Sequence, residues 1–376
     1  MSSDISLNEA SRFESVELSL MRRIMSSAAP GAINLALGEL SYELPSNLRD
    51  EAKRLLDEYT PRYTPNAGLM ELREQIAALY ANTSQEQVIV TNGAQEAIFL
   101  SLFSLINPGD TVAVLEPDYP AYISILQLLG AEIVRIPISK DLRSVDWERH
   151  RHILEKGVKA FVLSSPNNPS GFFLRDEDAE SLEGICSNSN LAVIVDETYR
   201  GLCFAGSPAS LSGRVENLST IGSLSKTHCM SGFRLGWVVV PEKLVATLTK
   251  AKQYVSTCAP DLAQRLAVYA LGSGGKAATD QIFLQLLQSR GAAMAFLKAN
   301  WPADALHIPD ATPYIMLRCD KDDVELAQQL ASMQVITTPG SAFGTNTAQM
   351  LRINYALDPE QLIPALEVIT NELYPH

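Results

Sequence analysis

Seven short β-rich runs, separated by segments long enough to hold a helix, occupy residues 86–240 and constrain the fold more than any other feature. They lie at 87–91, 111–115, 132–138, 160–164, 192–196, 219–224 and 235–240. Most are near-continuous apolar stretches, such as VIVT and AVIVD, rather than alternating ones. Continuous apolar strands are buried on both faces, and parallel strands need long crossovers between them. The pattern therefore predicts a mainly parallel α/β sheet. With 376 residues, 46% of them hydrophobic, the chain can bury a large core and hold two to three domains at about 150 residues each.

After Pro260 the texture changes. Residues 261–271 and 280–300 read as helices, the second with apolar residues at Ile282, Leu284, Leu286, Leu287 and Met294. A smaller α+β unit follows, with strands at 314–318 and 351–355. Asp358 and Gln361 give a capping-box signal before a last helix that would contain Pro364. Residues 1–30, helical around 15–25, are left unclaimed by the sheet and are assigned to this second unit. The expected division is a large domain over 31–283 and a small one from 1–30 and 284–376.

Charge and cysteine content narrow the function classes. Forty-three acidic residues against 30 basic ones give a net charge of -13, the wrong sign for attracting nucleic acid or anionic lipid. The five cysteines are odd in number and lack CxxC spacing, so they read as reduced thiols rather than disulfides or a zinc site. No apolar run approaches the roughly 18 residues of a membrane span, and the start MSSDISLNEA has no export pattern. A cytoplasmic enzyme is expected. GSGGK at 272–276 fails as a phosphate loop, with Ala270 in place of the first glycine and Ala277 in place of the Ser or Thr. His150 and His152 fall on different faces of a predicted helix, so no metal site is expected.

Open parallel sheets bind ligands outside the carboxyl ends of their strands. SSPNNPSG (164–171) follows one strand, Asp196 ends another with Tyr199 close behind, and SLSK (223–226) ends a third. TNGAQE (91–96) opens a helix whose free N–H groups suit an anion such as phosphate. Taken singly, each is an ordinary turn, cap or surface residue. Asn168, Asp196 and Lys226 together at strand ends, with Arg234 eight residues beyond the lysine, indicate one site.

From NLALGEL (34–40) through YTPNAGLMELR, TNGAQEAI, EPDYPAY, SSPNNPSG, VDETYRG and SLSKTHCMSGFRLGW to LRINYA (351–356), the chain resembles the class I/II aminotransferases, pyridoxal phosphate enzymes of fold type I. The resemblance implies action at Cα of an α-amino acid through an external aldimine and a quinonoid, most simply transamination. It implies that Lys226 holds the cofactor as a Schiff base and moves the Cα proton. Asp196 would pair with the pyridine nitrogen, Asn168 and Tyr199 would bind the phenolic oxygen, and Tyr119 would stack on the ring. The phosphate would sit on the backbone of Gly93, Ala94 and Gln95, closed by Ser223, Ser225 and Arg234. Tyr63 resembles the tyrosine that reaches the phosphate from a neighbouring subunit, which implies a homodimer. Arg352 would clamp the substrate carboxylate, and Gly38 lies where the backbone approaches the substrate. His228 is assigned a structural role.

One stretch departs from the family pattern. GELSYELP (38–45) stands where relatives commonly have Gly-Glu-Pro-Asp, which changes the substrate mouth. The N-terminal segment is acidic, with Asp4, Glu9, Glu14 and Glu17. Glu9 and Glu14 are candidates for binding a guanidinium or ammonium side chain, or they are simply a solvated face. The chain also resembles the divergent capreomycidine and enduracididine cyclases of this fold. The alternative is therefore elimination or cyclisation of a hydroxylated arginine-type amino acid. A non-catalytic sensor built on the same fold would need a basic DNA-binding domain, which is not expected here.

Overall fold

The computed structural model describes residues 9–374, so Asp4 lies outside the described residues. A short strand, β1 (Ile33–Asn34), precedes the main sheet. The seven runs become β2 (Val88–Thr91), β3 (Thr111–Glu116), β4 (Glu132–Pro137), β5 (Ala160–Ser164), β6 (Ala192–Asp196), β7 (Leu218–Ser223) and β8 (Gly236–Val239). They form one sheet in the order β2-β8-β7-β6-β5-β3-β4. All pairings are parallel except those of β8, which runs against both β7 and β2. Every residue of β2, β5 and β8 is buried, as their continuous apolar sequences require. β4 differs: it is an edge strand with Glu132, Arg135 and Pro137 exposed, a composition that blocks further pairing.

Successive side chains of these strands feed two cores. On one face Ile98 and Leu102, from the helix Gly93–Leu105, cover Ile89, Val114, Val162 and Ile194. On the other, Leu182 and Ile185 of the helix Asp176–Ser187 cover Leu115, Phe161, Leu163 and Val195. This two-period alternation is what a sheet covered on both sides demands.

A further core gathers both ends of the chain. It holds β9 (Leu306–His307), β10 (Tyr314–Arg318), β11 (Val335–Ile336), β12 (Thr338–Pro339) and β13 (Met350–Asn354). Four of them pair antiparallel in the order β12-β13-β10-β9, while β1 pairs parallel with β11. Ile24 of the helix Leu20–Ser27 is buried there, and so are Leu35, Ala36 and Leu40, beyond the expected boundary at residue 30. The expected boundary at 283 falls inside one continuous helix, Gly275–Asn300. Its Ala278 packs on the sheet side, whereas Ile282, Leu286, Ala293 and Leu297 form a stripe in the second core. Leu284 and Leu287 lie off that stripe and are exposed.

Three local readings change. The first helix starts at Leu20 rather than near 15, because Ser19 accepts a hydrogen bond from the Arg22 amide and caps it there. The long helix starts early, at Gly275, where a Cβ would collide with the Ala270 carbonyl; the glycine run is a tight turn between helices. Asp358 caps the Glu360 amide, but Gln361 does not complete a box, and Pro364 lies within the helix Pro359–Leu373. Among the described residues, no helix is long and apolar enough to cross a membrane.

Candidate active site

The carboxyl ends of β2, β3, β5, β6 and β7 share one edge of the sheet. Because β8 runs the other way, its beginning at 234–236 meets the same edge, so the topology brings TNGAQE, EPDYPAY, the Asn168 loop, Asp196, Lys226 and Arg234 together. The small sheet faces this edge. Tyr314, Met316, Thr338, Arg352 and Asn354 share one of its faces by register.

Lys226 lies just beyond β7, half-buried, and its Nζ donates to the Gly38 carbonyl. Burial brings its amine down to about 8; Glu39 opposes that fall, Arg352 and Arg234 add to it, and Asp196 opposes it. Asp196 ends β6 and is buried. Its Oδ1 accepts from the Thr198 amide at 2.9 Å and hydroxyl at 2.5 Å, and its Oδ2 accepts from the Tyr122 hydroxyl at 3.0 Å. Burial pushes this carboxyl up, while the Thr198 and Tyr122 bonds and Lys226 work the other way. A carboxylate fixed by neutral donors, with no cation hydrogen-bonded to it, is set to receive one.

Tyr199 is buried, with its hydroxyl 2.5 Å from that of Tyr314 and the two rings edge-on. A Cβ on Gly38 would strike the Tyr314 hydroxyl and lie 3.2 Å from that of Tyr199, so glycine lets this loop pass close. Asn354 Nδ2 donates to the Leu37 carbonyl at 2.7 Å and the Glu39 carbonyl at 2.6 Å, fixing the loop from the small sheet. Arg352 Nη1 donates to Asn168 Oδ1 at 2.8 Å, and Nη2 donates to the Ala36 carbonyl and to Thr338 Oγ1 at 3.3 Å. Its guanidinium lies between the rings of Tyr314 and Phe343, at 4.2 and 4.8 Å. Arg352 is 3% exposed and its Nε has no partner. A cleft of about 410 Å³ runs beside Phe343 and Pro120.

At the other end, Gly93 opens the helix Gly93–Leu105 with φ +77°. A Cβ there would lie 2.5 Å from Arg234 Nη2, so the helix N-terminus stays open beside a guanidinium. Asn92 at the N-cap makes no side-chain cap bond. Ser223 Oγ lies 2.8 Å from Ser225 Oγ and accepts from the Ser225 amide at 3.0 Å. Tyr119 donates its hydroxyl to the Gln95 side chain at 3.1 Å and packs edge-on against Tyr122.

Other expected residues lie outside this cluster. Tyr63 is 89% exposed. Glu9 and Glu14 are exposed and flank the turn Ser11–Phe13, which lies against the helix Ala121–Leu128. His228 is buried, with Nδ1 2.8 Å from Thr227 Oγ1, and burial brings its imidazole down to about 4. Sequence reasoning missed Tyr122, Thr198, Tyr314 and Thr338. Tyr314 had a usable signal, since it shares the two-residue period of a predicted strand facing Arg352.

Pyridoxal phosphate fits these residues. A phosphate suits the uncapped N-terminus beside Arg234, a protonated ring nitrogen suits the buried Asp196, and an aldehyde suits an amine whose proton is held loosely. A family model described as "Aminotransferase class I and II" matches residues 30–369. A probable aspartate aminotransferase of Methanocaldococcus jannaschii is 31% identical, over 96% of this chain and 98% of that one. An aspartate aminotransferase of Pyrococcus horikoshii is 30% identical, covering 91% and 90%. A solved aspartate aminotransferase mutant from Thermus thermophilus superposes with a TM-score of 0.89 at 25% identity, covering 97% and 100%.

Proposed function

The chain belongs to the class I and II aminotransferases, fold type I enzymes whose cofactor is pyridoxal phosphate, and from that premise we propose that it transfers the amino group of an α-amino acid held by Arg352. Arg352 itself carries the reading. Its guanidinium is buried, forms no ion pair among the described residues, and leaves Nε unused. A buried charge without a counter-ion is costly, and an α-carboxylate supplies one.

The cofactor contributes an aldehyde that captures amines and a conjugated ring that draws electrons from Cα. Lys226 would carry it at rest and, once freed, take the Cα proton on Nζ; an amine near 8 matches that task better than one at 10.5. Asp196, oriented by Thr198 and Tyr122, keeps a proton on the ring nitrogen. Asn168 and Tyr199 would donate to the ring's phenolic oxygen. Since Asn168 also fixes Arg352, one amide aligns substrate and cofactor. Tyr119 would cover a ring face, Gly38 would let the backbone reach the substrate, and Gly93, Ala94, Gln95, Ser223, Ser225 and Arg234 would hold the phosphate.

The enzyme is proposed to act as a cytoplasmic homodimer, with Tyr63 of each subunit completing the other's phosphate site. Its exposed ring, with those of Tyr59 and Tyr254, supports this, and the five unpaired cysteines suit a reducing compartment. An active single-chain species in sedimentation would remove the dimer from the proposal. The division into a large unit over 31–283 and a small one from the two ends also stands as proposed, with residues 31–40 packing on the small side.

The relatives' names make aspartate the first substrate to test. The departure GELSYELP at 38–45, whose Gly38 carbonyl accepts from Lys226 Nζ, favours a second reading, elimination or cyclisation of a hydroxylated arginine-type amino acid, for which Glu9 and Glu14 remain the proposed guanidinium partners. Holoenzyme given ¹⁵N-amino acids, including aspartate, arginine and hydroxyarginines, with 2-oxoglutarate decides between them. Label in the acceptor supports transamination. An amino acid that keeps its label while losing water or closing a ring supports the second reading.

A further inference from the structure

Asparagine is among the best helix N-caps, its side-chain oxygen normally accepting from the second or third amide of the helix. Asn92 occupies that position and makes no such bond. Its Nδ2 instead donates to Glu96 Oε2 at 3.0 Å, and its backbone N–H donates to the same oxygen at 2.7 Å. The third donor to that oxygen is Lys252 Nζ at 2.8 Å, which also donates to Ser256 Oγ at 2.9 Å. The Lys252 side chain is 0% exposed and that of Glu96 9%. Burial alone would raise the Glu96 carboxyl, but Lys252, Ser256 and the Asn92 amide outweigh it and hold the group below its usual range.

We propose that the buried Glu96–Lys252 pair is a positioning device for the cofactor phosphate: it holds the Asn92 carboxamide by its donor end, so that the side chain does not cap its own helix and the Ala94 and Gln95 amides stay free. This rests on the reading above that those amides bind the phosphate. The pair is bonded to Asn92 and Ser256 and would act on the phosphate only through Asn92. Its cost is that of any buried ion pair, and its return is specificity rather than stability. Without the lysine charge, Glu96 takes up a proton rather than remain a lone buried anion. Its hold on Asn92 then weakens, and the carboxamide rotates to compete with the phosphate for the helix amides.

The test compares two ligands on the apoenzyme, pyridoxal phosphate and pyridoxal, which lacks the phosphate. Wild type should prefer the phosphorylated form strongly. Lys252→Met should weaken pyridoxal phosphate binding about tenfold, the effect of one lost or competed hydrogen-bond set to a charged group, and leave pyridoxal within about twofold. Glu96→Gln combined with Lys252→Met leaves Asn92 an uncharged acceptor, as protonated Glu96 does, and should lose the preference to the same extent as Lys252→Met; a restored preference would show that the charge is not what holds Asn92. In an Asn92→Ala background, Lys252→Met should have no effect on the preference. An unchanged preference in Lys252→Met, a parallel loss for both ligands, or an effect that persists with Asn92→Ala would overturn the proposal. Were wild type itself to show no preference for the phosphorylated ligand, the phosphate assignment to this turn would fail first.

Discussion

Replacing Arg352 by lysine keeps the charge and removes the fork. In the structure Nη1 is committed to Asn168 at 2.8 Å, Nη2 to Thr338 at 3.3 Å and to the Ala36 carbonyl, and Nε is free. A lysine ammonium is a single nitrogen that cannot hold Asn168 and also grip a carboxylate in two places. At least one charge-assisted hydrogen bond is lost, worth about 1.5–3 kcal/mol, which is about a 10- to 100-fold rise in KM. Stacking between Tyr314 and Phe343 goes too, and an ammonium is less suited to that slot. The groups that move protons are untouched, so kcat should fall by only about three- to tenfold, through the loosened Asn168. Initial rates across amino-acid concentration measure the split, and unchanged visible absorbance shows that the cofactor remains bound. An amine substrate without the carboxylate should be indifferent to the change. If KM for amino acids moves by less than about twofold, the carboxylate clamp lies elsewhere and the reasoning fails.

Other outcomes follow from the same geometry. Cofactor capture by the apoenzyme needs the unprotonated Lys226 amine, brought down to about 8 by burial. Capture should therefore speed up with rising pH and level off above about 8, whereas a rise continuing past pH 10 would mean an ordinary lysine. Lys226→Ala should abolish the visible band of lysine-bound cofactor. Asp196→Asn retains the Thr198 and Tyr122 contacts but not the charge; turnover should drop about 100-fold or more with cofactor still bound, and near-normal turnover would dismiss its role at the ring nitrogen. Gly93→Ala sets a Cβ 2.5 Å from Arg234 Nη2 at a positive φ. Cofactor affinity should fall about tenfold, from about 1–2 kcal/mol of strain, and equal affinity by titration would show that the loop adapts. His228 is neutral in the native state down to about 4, so below its ordinary 6.5 the unfolded chain binds the extra proton. Its contribution makes stability fall as pH drops from about 6.5 to 4, and His228→Gln should flatten that slope in denaturant titrations.

The sheet was legible because its strands are buried on both faces and so read as unbroken apolar runs; 160–164 and 192–196 coincide with β5 and β6. Strand ends were legible for the same reason, which placed Asp196 and Lys226. β4 was also read, at 132–138, although at the sheet edge its exposed Glu132 and Arg135 interrupt the apolar run. Tyr122 escaped notice because a tyrosine three residues after Tyr119 on an apolar helix reads as core, and its hydroxyl bond to Asp196 is a tertiary fact. Glu9 and Glu14 lie on a segment with little burial around them, so no periodicity told which way they face. The Ser19 cap shows how one hydroxyl outweighs the four residues of helix-compatible sequence before it.

The central claim is that this site moves an amino group from a substrate gripped by Arg352 onto the cofactor carried by Lys226. The direct measurement is a single turnover of purified holoenzyme with each amino acid in the absence of any oxo-acid acceptor, with quantification of cofactor and product. The account predicts one pyridoxamine phosphate per site together with the matching oxo acid, formed about 30-fold or more slowly by Arg352→Lys at low substrate. Cofactor that stays entirely as pyridoxal phosphate while an amino acid loses water or closes a ring would contradict it.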